Sequence, residues 1–102
     1  MEIKIEINDD SARIIPGKQI DLTNSGTLKE KFHDLIKRDF YNIILDLENV
    51  EEIDSSALGK ILLFNKIISE KEGSFKIENV NSEYVQNVLD MIELDQLIDI
   101  SD

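Results

Sequence analysis

The amino-acid sequence predicts an α/β fold, in which helices pack on a mixed sheet of four to five strands. Strands and helices alternate in the order β-β-α-β-α-β-α-β, and one strand in the middle of the chain is apolar on both faces. Two opening strands joined by a short turn form an antiparallel hairpin, whereas strands separated by helices run parallel through right-handed crossovers. No repeat or linker divides residues 1–102, so we expect a single domain.

The composition excludes several classes of function. With 102 residues, 41% of them hydrophobic, the chain can build one core. A net charge of −11 repels nucleic acid phosphates and anionic lipids, and it favours a basic protein partner. No apolar run is long enough to span a membrane, and cysteine is absent. We therefore expect a cytoplasmic protein that has no nucleic-acid partner and makes no direct membrane contact.

Period-two alternation predicts the opening hairpin. Three isoleucines alternate with charged residues over Met1–Ile7, which indicates a half-buried strand. A polar turn cluster follows, and Ala12–Ile15 is a second short strand. Pro16-Gly17 ends that strand, because proline lacks a ladder donor and glycine permits a turn.

A first amphipathic helix follows the hairpin. Asp21 and Thr23 are its favoured N-caps, and Ser25 is a third candidate. The helix should end near Arg38-Asp39, and one apolar stripe forms its inner face. That stripe consists of Leu28, Phe32, Leu35 and Ile36.

The middle of the chain reads as strand, loop and helix. Asn42–Leu47 is a nearly continuous apolar run, which suits a central strand covered on both faces. Glu48–Asp54 is an acidic loop in which Val50 and Ile53 are the expected buried anchors. A second helix then spans Ser55–Glu70.

The remaining elements follow the same alternation. Gly73 is the expected stop of the second helix, and Phe75–Val80 alternates as a strand. A third helix begins at Asn81-Ser82-Glu83, breaks over Glu93–Gln96, and leads to a short last strand at Leu97–Ile100. The expected inner face of the third helix consists of Val85, Val88, Leu89 and Ile92.

Catalytic chemistry finds little support in this sequence. A serine hydrolase needs a histidine base, and the single histidine, His33, falls on the polar side of the first helix. No nucleophile elbow, glycine-rich phosphate loop or dinucleotide fingerprint is present. The acidic residues of Glu48–Asp54 lack the spacing of a calcium loop. We therefore expect no enzyme, cofactor or dedicated metal site, and a hydrolase that uses Ser55 is the enzymatic alternative.

The segment Asp54-Ser55-Ser56 places two hydroxyls at the start of an apolar helix. Its simplest interpretation is a helix cap made by Asp54, with both serines in the first turn. A second interpretation is phosphorylation, because the turn follows a parallel strand and a helix N-terminus tolerates a phosphate. Glu51 and Glu52 would then repel the added charge and alter a docking surface.

The second helix is more apolar than one packed face requires. Leu63 and Ile67 lie away from the centre of its stripe. The helix is therefore either deeply covered, or it exposes an apolar patch that marks a partner surface. The stripe itself consists of Ala57, Leu58, Ile61, Phe64 and Ile68.

This region resembles the STAS domain of bacterial anti-sigma factor antagonists. The family's hallmark is an apolar strand, a short loop and Asp-Ser-Ser/Thr/Ala-Gly-Leu-Gly at the start of a helix. The matching residues here are Ile43-Ile44-Leu45-Asp46-Leu47, Val50 and Ile53-Asp54-Ser55-Ser56-Ala57-Leu58-Gly59. The order of elements matches over nearly the whole chain, while Ala57 stands where the family usually has glycine.

The resemblance implies a switch that performs no catalysis. In the family, the unphosphorylated antagonist binds an anti-sigma factor and frees the sigma factor. The anti-sigma factor is a serine kinase that phosphorylates the motif serine, here Ser55, and a serine phosphatase resets it. Asp21, Asp54 and Ser56 form the implied environment of that serine. The implied partner surface consists of Glu51, Glu52, Ala57, Leu58, Lys60, Leu63 and Ile67.

A different interpretation keeps the fold and removes the switch. STAS-like domains also serve as scaffolds or as subunits of membrane transport assemblies, and the fold alone does not choose between these functions. Asp54 would then be only a helix cap, and Ser55 would carry no phosphate. A phosphorylation assay with the cognate kinase separates the two interpretations.

Overall fold

A computed structural model of the protein describes residues 2–101. The strands are β1 (Lys4–Asn8), β2 (Ser11–Ile15), β3 (Gln19–Ile20), β4 (Asn42–Asp46), β5 (Glu52–Ile53), β6 (Ser74–Glu78) and β7 (Asp99–Ser101). The helices are α1 (Ser25–Lys37), α2 (Ser55–Glu70) and α3 (Glu83–Met91), and a short 3₁₀ helix spans Leu94–Gln96.

Five strands form one mixed sheet in the order β1-β2-β4-β6-β7. β1 pairs with β2 in the antiparallel direction, and every other neighbouring pair in this sheet is parallel. Helices connect the parallel strands, as crossover connections require. The predicted α/β fold class is therefore confirmed. Over residues 2–101, no helix combines the length and apolarity needed to cross a membrane.

A second, two-stranded sheet is not indicated by the sequence pattern. β3 pairs in parallel with β5, where the sequence predicts the start of a helix and a loop. Both predictions are wrong at these residues, because strands of two residues are too short to show alternation. Ile20 and Ile53, the second residue of each strand, are buried and anchor the small sheet on the core.

The two edge strands of the main sheet differ from their predicted ranges. β1 covers Lys4–Asn8 where the sequence predicts Met1–Ile7, and Met1 lies outside the described residues. Ile7 is 45% exposed, because β1 is the outermost strand. β7 begins at Asp99, two residues later than predicted, and Leu97 is largely exposed.

Aromatic side chains join α1, α2 and the sheet. Phe32 of α1 stacks on Phe64 of α2 with ring centroids 4.1 Å apart and an interplanar angle of 13°. Phe64 also meets Phe75 of β6 edge to face, with ring centroids 6.3 Å apart. Fully burying one such ring contributes about 1.5–3 kcal/mol. The helices are thus held on one face of the sheet by a continuous aromatic contact.

The opposite face of the sheet carries a polar network around Asp46, which is 3% exposed. Arg13 donates to Asp46 at 2.8 Å and to Glu78 at 2.9 Å. The amide of Asn79 and the backbone N–H of Glu48 also donate to the Asp46 carboxylate, at 3.1 and 3.0 Å. Hydrogen bonds to Glu78 and then to Asp46 raise the pKa of Arg13. The network joins β2, β4 and β6 at the point where the acidic loop leaves the sheet.

Helix α1 begins later than the sequence predicts. Its N-cap is Asn24, not Asp21 or Thr23. The Asp21 carboxylate instead accepts the Thr23 N–H within the preceding turn, and the Asp21 carbonyl accepts the Ser25 N–H at 2.8 Å. The Asn24 amide closes the same turn, because it accepts from Asp21 N–H and donates to the Gln19 carbonyl. Contacts within the turn therefore decide where the helix starts.

Helix α2 ends by a different device from the predicted glycine stop. Lys71 is the C-cap, and Glu72 takes the left-handed conformation with φ of 59°. The N–H of Gly73 then donates to the Ile68 carbonyl at 2.9 Å. Gly73 is needed for space, since a β-carbon there would overlap the Tyr41 carbonyl oxygen.

The predicted inner face of α3 is only partly buried. Val85 and Leu89 are buried, whereas Ile92 is 44% exposed. The prediction fails at Ile92 because α3 ends at Met91 and Ile92 is already the C-cap. Leu94 of the 3₁₀ helix is buried in the core after that turn.

Candidate functional site

The acidic loop between β4 and α2 is held from two sides. The backbone N–H groups of Glu51 and Glu52 donate to the Lys18 carbonyl, at 2.6 and 3.3 Å. On the other side, the Ser82 hydroxyl donates to the Glu51 carbonyl at 3.2 Å. Both glutamate side chains remain exposed. The loop therefore presents two carboxylates on a fixed backbone directly before Ser55.

Asp54 is the N-cap of α2, as the sequence predicts. Its Oδ1 accepts a hydrogen bond from the Ala57 N–H at 3.0 Å, which satisfies a free donor of the first turn. Its Oδ2 accepts from the Leu22 N–H at 3.0 Å, and its own N–H donates to the Ile20 carbonyl at 3.3 Å. One carboxylate thus starts α2 and fastens the turn that precedes α1.

The three residues that open α2 differ sharply in exposure. Ser55 is exposed, Ser56 is half-buried and Ala57 is fully buried. Successive helical residues point about 100° apart, so Ser55 is the one of these three side chains that faces solvent. Ala57 cannot contact a partner directly, and its assignment to the partner surface is therefore corrected to a core position.

Asp21 lies beside the start of α2 because of the Leu22–Asp54 hydrogen bond. Its carboxylate accepts from the backbone N–H and the hydroxyl of Thr23, and from the Gln19 amide at 3.0 Å. The hydrogen bond from the Thr23 hydroxyl is the main cause that lowers the pKa of Asp21. Asp21 therefore adds a negative charge near Asp54-Ser55-Ser56, hereafter the serine turn. Leu22, in the turn between β3 and α1, is 78% exposed.

A small cavity of about 150 Å³ opens between the two-stranded sheet and α3. Asp21, Glu52 and Asp54 are among the residues that line it, and so is Tyr84 of α3. Tyr84 is 55% exposed and was not among the predicted site residues. An aromatic residue on the polar side of an amphipathic helix is the sequence signal that indicates it.

The apolar residues of α2 are partly covered by the core and partly exposed, so each of the two sequence interpretations holds for some of them. Leu58 and Ile67 are half-buried and pack on the core, so part of the excess apolar surface is covered. Leu63 and Lys60 are also half-buried. Leu62, which the sequence interpretation left out, is 40% exposed. A partly covered apolar surface therefore follows the serine turn along α2.

His33 lies on α1, and its neighbours are not residues of the serine turn. Its ring stands edge-on to Phe32 with centroids 5.8 Å apart, in a shallow groove of α1 that also includes Lys29 and Asp34. The residues around the Asp54 cavity form a separate group. Within residues 2–101, no three acidic, histidine or cysteine side chains converge as a metal site. His33 thus lines the groove of α1 and is not among the residues that line the cavity beside Asp54.

The fold and the capped serine turn together define a class of protein. The STAS domain family matches the sequence over residues 2–102. The chain belongs to the STAS-domain family, as the resemblance predicts.

Relatives within that family include anti-sigma factor antagonists. The chain is 34% identical over 98 residues to a Thermotoga maritima protein described as a candidate anti-sigma factor antagonist, with 95% of this chain and 86% of the relative covered. It is 28% identical over 103 residues to the anti-sigma-B factor antagonist of Bacillus subtilis, with 99% and 93% covered. The chain is thus similar to regulators over nearly its whole length.

Solved structures of anti-sigma factor antagonists have the same fold as this chain. The crystal structure of the Thermotoga maritima protein superposes with a TM-score of 0.92 at 33% identity, covering 98% of this chain and 86% of that one. The phosphorylated form of the Bacillus cell fate determinant SpoIIAA superposes with a TM-score of 0.77 at 17% identity, covering 99% and 92%. At that identity SpoIIAA shows a shared fold alone.

Proposed function

We propose that this protein is an anti-sigma factor antagonist, whose binding to an anti-sigma factor with serine kinase activity is switched off by phosphorylation of Ser55. The observation that carries the proposal is the exposure of Ser55 at the first position of α2, directly after the capping residue Asp54. Similarity to anti-sigma factor antagonists over nearly the full chain supports the same partner class. Such a partner agrees with the cytoplasmic location that the sequence predicts.

The unphosphorylated surface suits a partly basic partner. Exposed Glu51 and Glu52 stand before the serine turn, and Asp21 lies beside it. Opposite charges steer association, so a basic region of the anti-sigma factor would dock here. The half-buried side chains of Leu58, Leu63 and Ile67 would supply apolar contact along α2, and Lys60 would lie at its polar margin. Buried Ala57 would support that surface from beneath.

A phosphate on Ser55 would change docking more than folding. It adds about −1.5 to −2 charges at neutral pH. The free N–H groups and the dipole of the helix N-terminus favour such a charge, so the fold is expected to persist. The carboxylates of Asp21 and Asp54 already lie at this end, and the new charge would raise the negative potential that a partner meets. SpoIIAA has been solved in a phosphorylated form, which supports the tolerance of this fold for phosphate.

The cycle requires two enzymatic activities, one from the anti-sigma factor itself and one from a further partner. The anti-sigma factor would transfer the γ-phosphoryl group of ATP to the exposed Ser55 hydroxyl, and it would release ADP and the hydroxyl proton. A serine phosphatase would remove the phosphate and restore binding. Half-buried Ser56 would support the turn and would receive no phosphate.

Titration calorimetry with the purified anti-sigma factor tests this proposal. We expect Ser55→Asp to weaken binding about tenfold or more, which corresponds to about 1.4 kcal/mol. Ser55→Ala should bind as the wild type does, because it adds no charge. The free energy of unfolding of Ser55→Asp should stay within about 1 kcal/mol of wild type, since an acid near a helix N-terminus is usually favourable.

Matched variants make the result decisive. Ser56→Ala should neither block phosphorylation nor weaken binding, because the half-buried Ser56 hydroxyl is not the proposed acceptor and the Asp54 cap still holds the turn. A folded Ser55→Asp protein that binds as tightly as wild type would contradict the switch. If wild-type protein binds no anti-sigma factor at all, the scaffold interpretation replaces the proposal.

A further inference from the structure

β1 leaves one edge of the main sheet open. The strand lies at the end of the order β1-β2-β4-β6-β7 and pairs with β2 alone among the described strands. Every second residue of an edge strand turns its N–H and C=O groups away from its neighbour, which makes such an edge a template for another strand. Proteins commonly manage this liability by placing charges on the edge, and β1 carries Lys4 and Glu6.

The two faces of β1 have different chemistry. Ile5 and Ile7 lie opposite the buried core residues Ile14 and Ala12 of β2, so they point to the helix side of the sheet. Their burial is incomplete, and Ile7 is 45% exposed. Lys4 and Glu6 alternate with them and point to the other side. The edge therefore combines an incompletely covered apolar row with one positive and one negative side chain.

We propose that β1 pairs with β1 of a second copy of this chain in the antiparallel direction, about a two-fold axis at Ile5. In this register, Lys4 of one protomer stands opposite Glu6 of its partner, and the reciprocal pair forms across the axis. Ile5 meets Ile5 of the partner, and Ile3 meets Ile7 of the partner. The pairing joins the two sheets and covers the apolar row on the helix side.

Charge selects this register among its neighbours. An axis at Glu6 would place Glu6 opposite Glu6 of the partner, and an axis at Lys4 would place Lys4 opposite its own copy. Like charges directly opposite each other are unfavourable across paired strands, whereas opposite charges contribute favourably. The axis at Ile5 creates two opposite-charge pairs and no like-charge pair between strand residues. The self-complementary order of Lys4, Ile5 and Glu6 thus argues for a second copy as the occupant.

This pairing is independent of the proposed phosphorylation switch. β1 is separated from β4 by β2 in the sheet, and the serine turn follows β4 through the acidic loop and β5. Ser55 is placed by the small β3–β5 sheet and the start of α2, so both copies would keep it exposed. Failure of the pairing would therefore leave the anti-sigma factor proposal unchanged, and the reverse also holds.

Sedimentation equilibrium of the full chain from about 10 μM to about 1 mM tests the proposal. The average mass of the wild type should rise from one chain toward two with concentration. Lys4→Glu should remain at the mass of one chain, because it places carboxylates opposite each other. The double variant Lys4→Glu/Glu6→Lys restores opposite charges in the same register and should regain the dimer. Lys31→Glu on the exposed side of α1 makes the same change in net charge and should dimerise as wild type does.

Amide hydrogen exchange gives a second readout that needs no variant. Protection of backbone amides in β1 should increase with protein concentration, while protection in exposed α1 residues should not. A wild-type protein that stays at the mass of one chain up to about 1 mM would overturn the proposal. So would a folded double variant that fails to dimerise, or a Lys4→Glu protein that dimerises as wild type does.

Discussion

Asp46 and Asp54 bracket the same acidic loop and have opposite roles. Asp46 ends β4, is 3% exposed, and is bonded to Arg13, Asn79 and the Glu48 backbone. Asp54 precedes α2 and is half-buried. Its two oxygens accept hydrogen bonds from the backbone N–H groups of Ala57 and Leu22.

The difference lies in the partners that each carboxylate uses. The buried carboxylate of Asp46 holds three strands together. Its loss would leave Arg13 paired with Glu78 alone and would remove the acceptor of the Asn79 amide and of the Glu48 N–H. A half-buried carboxylate that binds N–H groups orders a helix start and leaves the next side chain open to a partner protein. The loop therefore has a structural end at β4, and its other end presents Ser55, the residue that we propose to be the switch.

We expect the largest loss of stability when Asp46 is removed. Asp46→Ala should lower the free energy of unfolding by about 2–3 kcal/mol, below the range for a fully buried pair because the Arg13 side chain is 27% exposed. Urea denaturation measures the change. Asp34→Ala is the control, since the exposed pair with Arg38 at 3.6 Å should contribute less than about 1 kcal/mol. Equal losses in the two variants would contradict the structural role of Asp46.

Removal of Asp54 should have a smaller effect on stability and a separate effect on binding. Asp54→Ala should cost about 1–2 kcal/mol, as expected for loss of an N-cap. Asp54→Asn should recover much of this stability, because asparagine also caps helices. Binding to the anti-sigma factor should weaken in the alanine variant even at temperatures where it is fully folded, since the Asp21 turn loses its tie to α2. Unchanged binding in a folded alanine variant would show that binding does not require the hydrogen bond between the Asp21 turn and Asp54.

Replacing either of two glycines by alanine should change the stability of the protein by a small amount, with opposite sign at the two positions. A β-carbon at Gly59 of α2 meets nothing within 4 Å, so Gly59→Ala should raise stability by about 0.5–1 kcal/mol through helix propensity. Gly73→Ala should lower it, because the added methyl overlaps the Tyr41 carbonyl. Thermal unfolding of both variants gives the signs. A destabilised Gly59→Ala protein would mean that this side of α2 is packed.

Local patterns predict the Asp54 end of the acidic loop better than the Asp46 end. The range of α2 and its cap at Asp54 follow from a capping residue directly before an apolar helix, so neighbouring residues contain the signal. The partner of Asp46 lies 33 residues away on β2, and no local pattern indicates it. The sequence pattern does not indicate β3 and β5 either, because each is two residues long and its partner is distant in sequence.

The turn at Asp21 shows a different limit of prediction. Asp21, Thr23 and Ser25 are all acceptable helix caps by residue type. In the structure the N-cap is Asn24, whose side-chain amide accepts a hydrogen bond from the Asp21 N–H and donates one to the Gln19 carbonyl. The choice depends on β3, which the sequence pattern does not indicate. Tyr84 is exposed on α3 and lies outside the apolar stripe, so helical periodicity does not indicate it.

Mapping the phosphate after reaction with the cognate anti-sigma kinase and Mg-ATP tests the central claim most directly. Peptide mass spectrometry of the wild type should place a single phosphate on Ser55, and Ser55→Ala should take up none. A phosphate on Ser56 instead, or unmodified wild-type protein after reaction with an active kinase, would contradict the account.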